Sequence, residues 1–124
     1  MFWIYILLSF STLCISLNAQ VITAIPSPPD PNGAVEITFY ADRGTAGLRG
    51  FNGDVYAHTG VITNRSTGPT DWRYVKTNWG QNTPQTKLTK TATDRWRLTI
   101  PYIRAYYNVP QSEEILQLTF VFRS

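Results

Sequence analysis

The sequence predicts an all-β protein, an immunoglobulin-like antiparallel β-sandwich with one short helix near residues 102–107. Two observations lead to this prediction. Several stretches alternate apolar and polar residues with a period of two, which is typical of antiparallel strands that bury one face and expose the other. Clusters rich in Gly, Asn and Pro separate these stretches, and such residues suit tight turns. This spacing of turns indicates roughly seven short strands, as in a β-sandwich.

The chain begins with an uninterrupted run of apolar and small residues that is followed at once by Asn18-Ala19-Gln20. This pattern predicts a secretory signal peptide at residues 1–19, with cleavage after Ala19. The run is shorter than the roughly 20 apolar residues that a spanning helix needs, although an uncleaved N-terminal anchor is the alternative. We therefore expect a bacterial protein that is secreted or held at the cell surface, with no membrane contact after signal cleavage.

Residues 20–124 are enough for one domain and too few for two. The only cysteine, Cys14, lies in the signal, so the mature module is expected to have no disulfide and to depend on a packed core. The last predicted strand ends at Arg123, directly before the chain stops. Since domains usually continue past their last strand, we expect this β-sandwich module to be truncated at its C-terminus.

A Pro-rich stretch precedes the main strands. Residues 26–33 contain four prolines, and proline fixes φ and lacks an amide donor, so this stretch cannot lie inside a sheet. It is expected to follow a short edge strand at residues 21–25. Weaker strands are predicted at residues 72–78 and 86–91. The residues predicted to face the core are Val35, Ile37, Phe39, Val55, Ala57, Val61, Val75, Trp96, Leu98, Ile100, Leu116, Leu118, Phe120 and Phe122.

The segment after Pro101 departs from the strand pattern. Tyr102, Ile103, Tyr106 and Tyr107 have helical spacing, and a proline is favoured in the first turn of a helix. We expect one or two helical turns there, which close one end of the sandwich.

The charged residues exclude several functions. The 11 Lys and Arg and 8 Asp and Glu give a net charge of +3. The basic residues are scattered, whereas a nucleic-acid binder concentrates them on one face, so no nucleic-acid partner is expected. Glu113 and Glu114 are adjacent and would point to opposite faces of a strand, unlike a glycosidase pair. Without a nucleophile triad, a phosphate loop or a metal cluster, neither catalysis in this chain alone nor a cofactor or metal is expected.

Aromatic residues on two neighbouring predicted strands suggest a binding function instead. Strand alternation directs several of these rings away from the core, and flat rings beside hydrogen-bonding groups suit the faces of sugars. The alternative is that the rings pack against a neighbouring loop. The expected carbohydrate contacts are Tyr56, His58, Trp72 and Trp79, with Lys76 and Asn78 as polar support.

Four segments together resemble one known family. They are residues 54–63 (DVYAHTGVIT), 71–80 (DWRYVKTNWG), 103–110 (IRAYYNVP) and 118–123 (LTFVFR). They are similar to the N-terminal β-sandwich module of secreted alpha-amylase-like glycoside hydrolases from glycan-degrading Gram-negative bacteria. The resemblance covers residues 21–124. It implies a non-catalytic, starch-binding-like accessory module, whose partners are an α-glucan and a downstream catalytic domain of the same parent chain.

A looser resemblance concerns the strand at residues 55–58, Val-Tyr-Ala-His, which is similar to the Val-Tyr-Ala-Tyr strand of small starch-binding modules. The resemblance implies that Tyr56 is the first ring of a sugar platform. His58 stands where those modules have a second Tyr, and either Trp72 or Trp79 takes the place of the third ring. The rival interpretation is a structural spacer, a β-sandwich that packs on a catalytic domain without binding sugar itself.

Overall fold

Two antiparallel sheets make up the protein. The computed structural model describes residues 21–124 and, in addition, the backbone of Tyr5–Ser9. One sheet has the strand order β1-β7-β4 and the other the order β2-β3-β6-β5. The described elements are β1 (Tyr5–Ser9), β2 (Ile22–Ile25), β3 (Val35–Tyr40), β4 (Tyr56–Thr63), a 3-10 turn (Pro84–Thr86), β5 (Thr89–Ala92), β6 (Arg95–Ile100), α1 (Ile103–Tyr107) and β7 (Ile115–Arg123).

The predicted all-β class with one short helix is confirmed. The strand pairs of both sheets are antiparallel, and α1 lies within the segment for which a helix was predicted. The immunoglobulin-like detail stays a prediction. The predicted signal segment lies outside the described residues, apart from the backbone of β1, which pairs with β7. Among the described residues, no helix is long and apolar enough to cross a bilayer.

The core lies between the two sheets and consists of the inward-facing residues of their strands. Phe39 of β3 and Phe122 of β7 stack at 4.3 Å between ring centroids, which joins one sheet to the other. Phe122 also stacks on Phe120 within β7 at 5.7 Å. Trp96 is 3% exposed, so its predicted place in the core is confirmed. Leu116, which was also predicted to face the core, is 38% exposed, so that prediction is wrong, and Ile115 is buried instead.

Helix α1 closes one end of the sandwich by binding the Pro-rich lead-in. Its first two backbone amides donate to the carbonyls of Gly33 and Pro31. The Arg104 side chain is buried and donates to Asn32 Oδ1 at 3.1 Å and to the carbonyls of Pro110 and Glu113 at 2.8 Å each. One guanidinium thereby joins α1 to the segment before β7 and to the Pro-rich lead-in, which is distant in sequence.

The prediction of a strand at residues 72–78 is wrong. This segment contributes only an isolated bridge, in which Arg73 and Val61 exchange backbone hydrogen bonds. Val75, predicted to face the core, is 39% exposed. The segment lies instead against β4, close enough that a Cβ at Gly60 would come within 3.0 Å of the Arg73 carbonyl oxygen. Tyr74 has a φ of +53°, which breaks the strand alternation at that point.

The strand predicted at residues 86–91 is found in a shifted position. A 3-10 turn occupies Pro84–Thr86, with proline in its first turn, where the fixed φ of proline is favourable. Strand β5 begins only at Thr89 and is an exposed edge strand whose register shifts between Lys90 and Ala92.

Candidate functional site

Tyr56 and His58 project from the outer face of β4. Their neighbours Val55 and Ala57 are buried in the core, because successive side chains of a strand point to opposite faces. The register with β7 places Arg123 directly opposite Tyr56 and Val121 directly opposite His58. The outer face of these two strands therefore brings two rings of the predicted site beside an arginine.

The loop at residues 71–82 adds two indole rings to this face. The Trp72 ring stacks on His58 at 6.1 Å between centroids, and the Trp79 ring meets His58 edge-on at 5.1 Å. Trp72 and Tyr56 are half-buried, whereas Trp79 is 44% exposed. We call Tyr56, His58, Trp72, Trp79 and Arg123 the aromatic cluster.

Arg123 links the two outer rings of the aromatic cluster. Its guanidinium carbon lies 5.8 Å from the centroid of the Tyr56 ring and 5.9 Å from that of Trp79, within the range of cation–π attraction. The side chain donates to Asn82 Oδ1 at 2.5 Å and to the Ser124 carbonyl at 2.9 Å. The residue is 4% exposed, so the guanidinium is held in one position beneath the rings.

The surroundings of His58 favour its neutral form. Burial, and after it the positive charge of Arg123, lowers the pKa of His58 below its ordinary value of 6.5. The Nδ1 atom lies 3.3 Å from Thr77 Oγ1, a buried hydroxyl of the same loop. A neutral imidazole fits this position because it is partly buried and stands near the fixed cation of Arg123.

The two residues predicted as polar support, Lys76 and Asn78, lie in different places from each other. Lys76 Nζ donates to the backbone carbonyl of Tyr106 at 2.6 Å and lies 4.6 Å from the centroid of the Tyr106 ring. Its charge is therefore directed to α1. Asn78 is exposed and forms a turn with Gln81, whose amide donates to the Asn78 carbonyl. Asn78 thus stands next to Trp79 at the rim of the aromatic cluster.

Sequence reasoning missed Arg123, Thr77 and Asn82 as neighbours of the predicted rings. The position of Arg123 depends on the register between β4 and β7, which no local pattern reveals. Gly60 was also missed, although it sits in an eight-residue strand, where glycine often marks a close approach of another backbone. That signal was available in the sequence.

Glu113 anchors the same loop from beneath. Its buried carboxylate accepts from Thr63 Oγ1 at 2.6 Å and from the Tyr74 hydroxyl at 2.7 Å, and Arg65 Nε lies 3.9 Å away. These partners occupy both carboxylate oxygens. Glu113 therefore holds the loop in place.

We expect Glu113 to make stability depend on pH. The hydrogen bond from Thr63, followed by that from Tyr74, lowers its pKa below the ordinary value of 4.5. Because the folded-state pKa is lowered, its stabilising contribution is present above about pH 4.5 and is lost as pH falls through the folded pKa. In urea unfolding, Glu113→Gln should be less stable than wild type at pH 7, and the difference should narrow below pH 4.5. A difference that stays constant between pH 7 and pH 3 would contradict this role.

Within the described residues, no group of three or more His, Cys, Asp or Glu side chains is placed to hold a metal ion. The chemistry that the aromatic cluster offers is stacking on exposed ring faces beside fixed polar groups.

No protein-family model and no curated protein matches this sequence.

Proposed function

We propose that the protein is a secreted, non-catalytic carbohydrate-binding module for starch-like α-glucans, and that the aromatic cluster is its binding site. The observation that carries the proposal is the exposure of the Trp79 ring, which meets His58 edge-on at 5.1 Å and shares the Arg123 guanidinium with the Tyr56 ring. An exposed indole next to a second ring offers apolar surface to the C–H face of a pyranose. Such contacts are individually modest, so a binding site needs two or three rings.

The polar groups around the rings suit hydroxyl-rich ligands. Asn78 and Gln81 lie in the exposed turn that carries Trp79, and an amide both donates and accepts hydrogen bonds. The module is further proposed to belong to a longer alpha-amylase-like glycoside hydrolase, on the resemblance described above. This context implies export by a signal peptide and a catalytic domain in the same parent chain.

The rival proposal, a structural spacer that binds no sugar, also has a supporting observation. The His58 ring lies between Trp72 and Trp79 and uses both of them as packing partners. In a spacer, these contacts would serve only to bury the outer face of β4. Tryptophan fluorescence separates the two proposals, because glucan binding should shift the emission of wild type, and Trp79→Phe should abolish the shift. A spacer shows no shift in either protein.

Replacing Trp79 by Ala should weaken glucan binding about tenfold, because it removes the most exposed ring of the site. Retardation in native gels containing amylopectin or glycogen measures this effect. The matched control is Tyr102→Ala, since Tyr102 is 43% exposed but belongs to the N-terminal end of α1. We expect Tyr102→Ala to migrate like wild type. If folded wild type migrates equally fast with and without glucan, the proposed function is wrong.

A further inference from the structure

A hollow of about 510 Å³ opens next to the aromatic cluster. Asn52, Asp54, Lys87, Lys90 and Trp96 all line it. Its position follows from how the chain enters β5, since residues 84–88 run alongside the start of β4 and then turn into the edge strand. The hollow therefore lies between the loop before β4 and the edge of the second sheet.

Both hydrogen-bond donors and acceptors surround this hollow. Lys90 Nζ donates to Asn52 Oδ1 at 2.9 Å, and Lys87 Nζ lies 3.5 Å from Asp54 Oδ1. All four residues are exposed, so these weak surface pairs can exchange their partners for those of a ligand at little cost. The Trp96 Nε1 donor is buried and has no hydrogen-bond partner within the described part of the chain. A buried donor of this kind is costly unless a ligand or water accepts from it.

This combination of groups selects the class of ligand. Ammonium and indole groups donate, whereas the amide oxygen of Asn52 and the carboxylate of Asp54 accept. Sugar hydroxyls do both, so each group has a partner on a carbohydrate. The apolar side chains of Leu88 and Pro84, which also line the hollow, suit the carbon face of the same ligand.

The hollow and the aromatic cluster adjoin each other. The backbone of Lys87 forms an isolated β-bridge with Tyr56, and the Leu88 amide donates to the Val55 carbonyl at 2.9 Å. Asn82, which accepts from Arg123, stands two residues before Pro84. The backbone of Lys87, which lines the hollow, therefore lies beside the backbone of Tyr56, which carries one ring of the cluster.

We infer that the hollow is a second subsite for the same glycan chain. The ligand is then an oligosaccharide that stacks on Tyr56 and Trp79 and continues past Lys87 into the hollow. There, its hydroxyls accept from Lys90 and donate to Asn52 and Asp54. This inference rests on the proposed function, because it assigns a minimum length to the glycan that the aromatic cluster binds.

Chain-length dependence of binding tests the second subsite, with maltose and maltoheptaose as the probes in calorimetric titrations of the full chain. Wild type should bind maltoheptaose about tenfold more tightly than maltose, since only the longer probe reaches both subsites. Lys90→Met should weaken maltoheptaose binding severalfold and leave maltose binding unchanged. Lys90 is exposed in the edge strand, so the variant should keep the wild-type circular dichroism spectrum.

Arg49→Met is the control, because Arg49 is an exposed cation in a loop and does not line the hollow. It should bind both probes like wild type. The second subsite is refuted if wild type binds both probes equally well, or if Lys90→Met keeps the full preference for maltoheptaose. Either result leaves the proposed function standing. If wild type binds neither maltose nor maltoheptaose, the proposed function is wrong, and the second subsite with it.

Discussion

Replacing Phe122 by Ala should lower the free energy of unfolding by about 3–5 kcal/mol, the range expected for removing a buried phenyl ring. Phe122 is fully buried and stacks on Phe39 at 4.3 Å between ring centroids. These two rings belong to different sheets, so their loss leaves a cavity at the contact that joins the sheets. Surrounding side chains can close such a cavity only in part, because the strands on both sides hold their positions.

Equilibrium unfolding in urea, monitored by circular dichroism, measures this effect. Phe122→Leu is the matched control, since it keeps most of the apolar volume and should cost less than half as much as Phe122→Ala. Glucan binding gives a second readout. Arg123 follows Phe122 directly in β7 and lies under Tyr56 and Trp79, so a shift of β7 would also move the candidate site. If Phe122→Ala unfolds within about 1 kcal/mol of wild type, the ring does not join the sheets as described.

The strands could be predicted from sequence because their information is local. Alternating residues such as Trp96 and Leu98 face the core wherever a strand is paired and covered, and both are buried. The same reasoning failed at Val75, which follows an apparently similar alternation. There, the close approach of the loop to Gly60 and the positive φ of Tyr74 decide which side chains point outward. Both features depend on contacts between distant segments.

The candidate site shows the same division. Tyr56 and His58 were predicted to share one face because they lie two residues apart on one strand, and the structure places them so. Their neighbour Arg123 follows only from the register of β4 with β7. Lys76 was expected at the site on the assumption of a continuous strand, but it contacts Tyr106 of α1 instead. Side chains on irregular loops therefore required the structure.

Replacing Arg104 by Met should lower the free energy of unfolding by about 3 kcal/mol, because hydrogen bonds to a charged group contribute about 1.5–3 kcal/mol each and are not additive. The guanidinium donates to Asn32 Oδ1 and to two backbone carbonyls, those of Pro110 and Glu113. Methionine fills similar space without donors, so these acceptors lose their partner at a buried position. The substitution therefore weakens the packing of α1 against the Pro-rich lead-in and the segment before β7.

Two variants separate geometry from charge. Arg104→Lys keeps the positive charge, but one ammonium cannot reproduce the planar, multi-directional donation of a guanidinium, so it should recover only part of the loss. Arg97→Met removes an exposed cation from β6 and should stay within about 0.5 kcal/mol of wild type. Equal unfolding midpoints for Arg104→Met and wild type would show that α1 docks without this guanidinium.

We expect the loss of Arg104 also to loosen the loop that carries Trp72 and Trp79 at the candidate site. Helix α1 carries Tyr106, whose carbonyl accepts from Lys76 Nζ at 2.6 Å, and Lys76 lies in the loop between Trp72 and Trp79. Loosening α1 therefore removes one of the attachments that hold this loop against β4. We expect amide hydrogen exchange in residues 72–79 to accelerate in Arg104→Met under conditions where the protein remains folded. If exchange accelerates only in α1 and in residues 30–33, the helix and the candidate site are independent of each other.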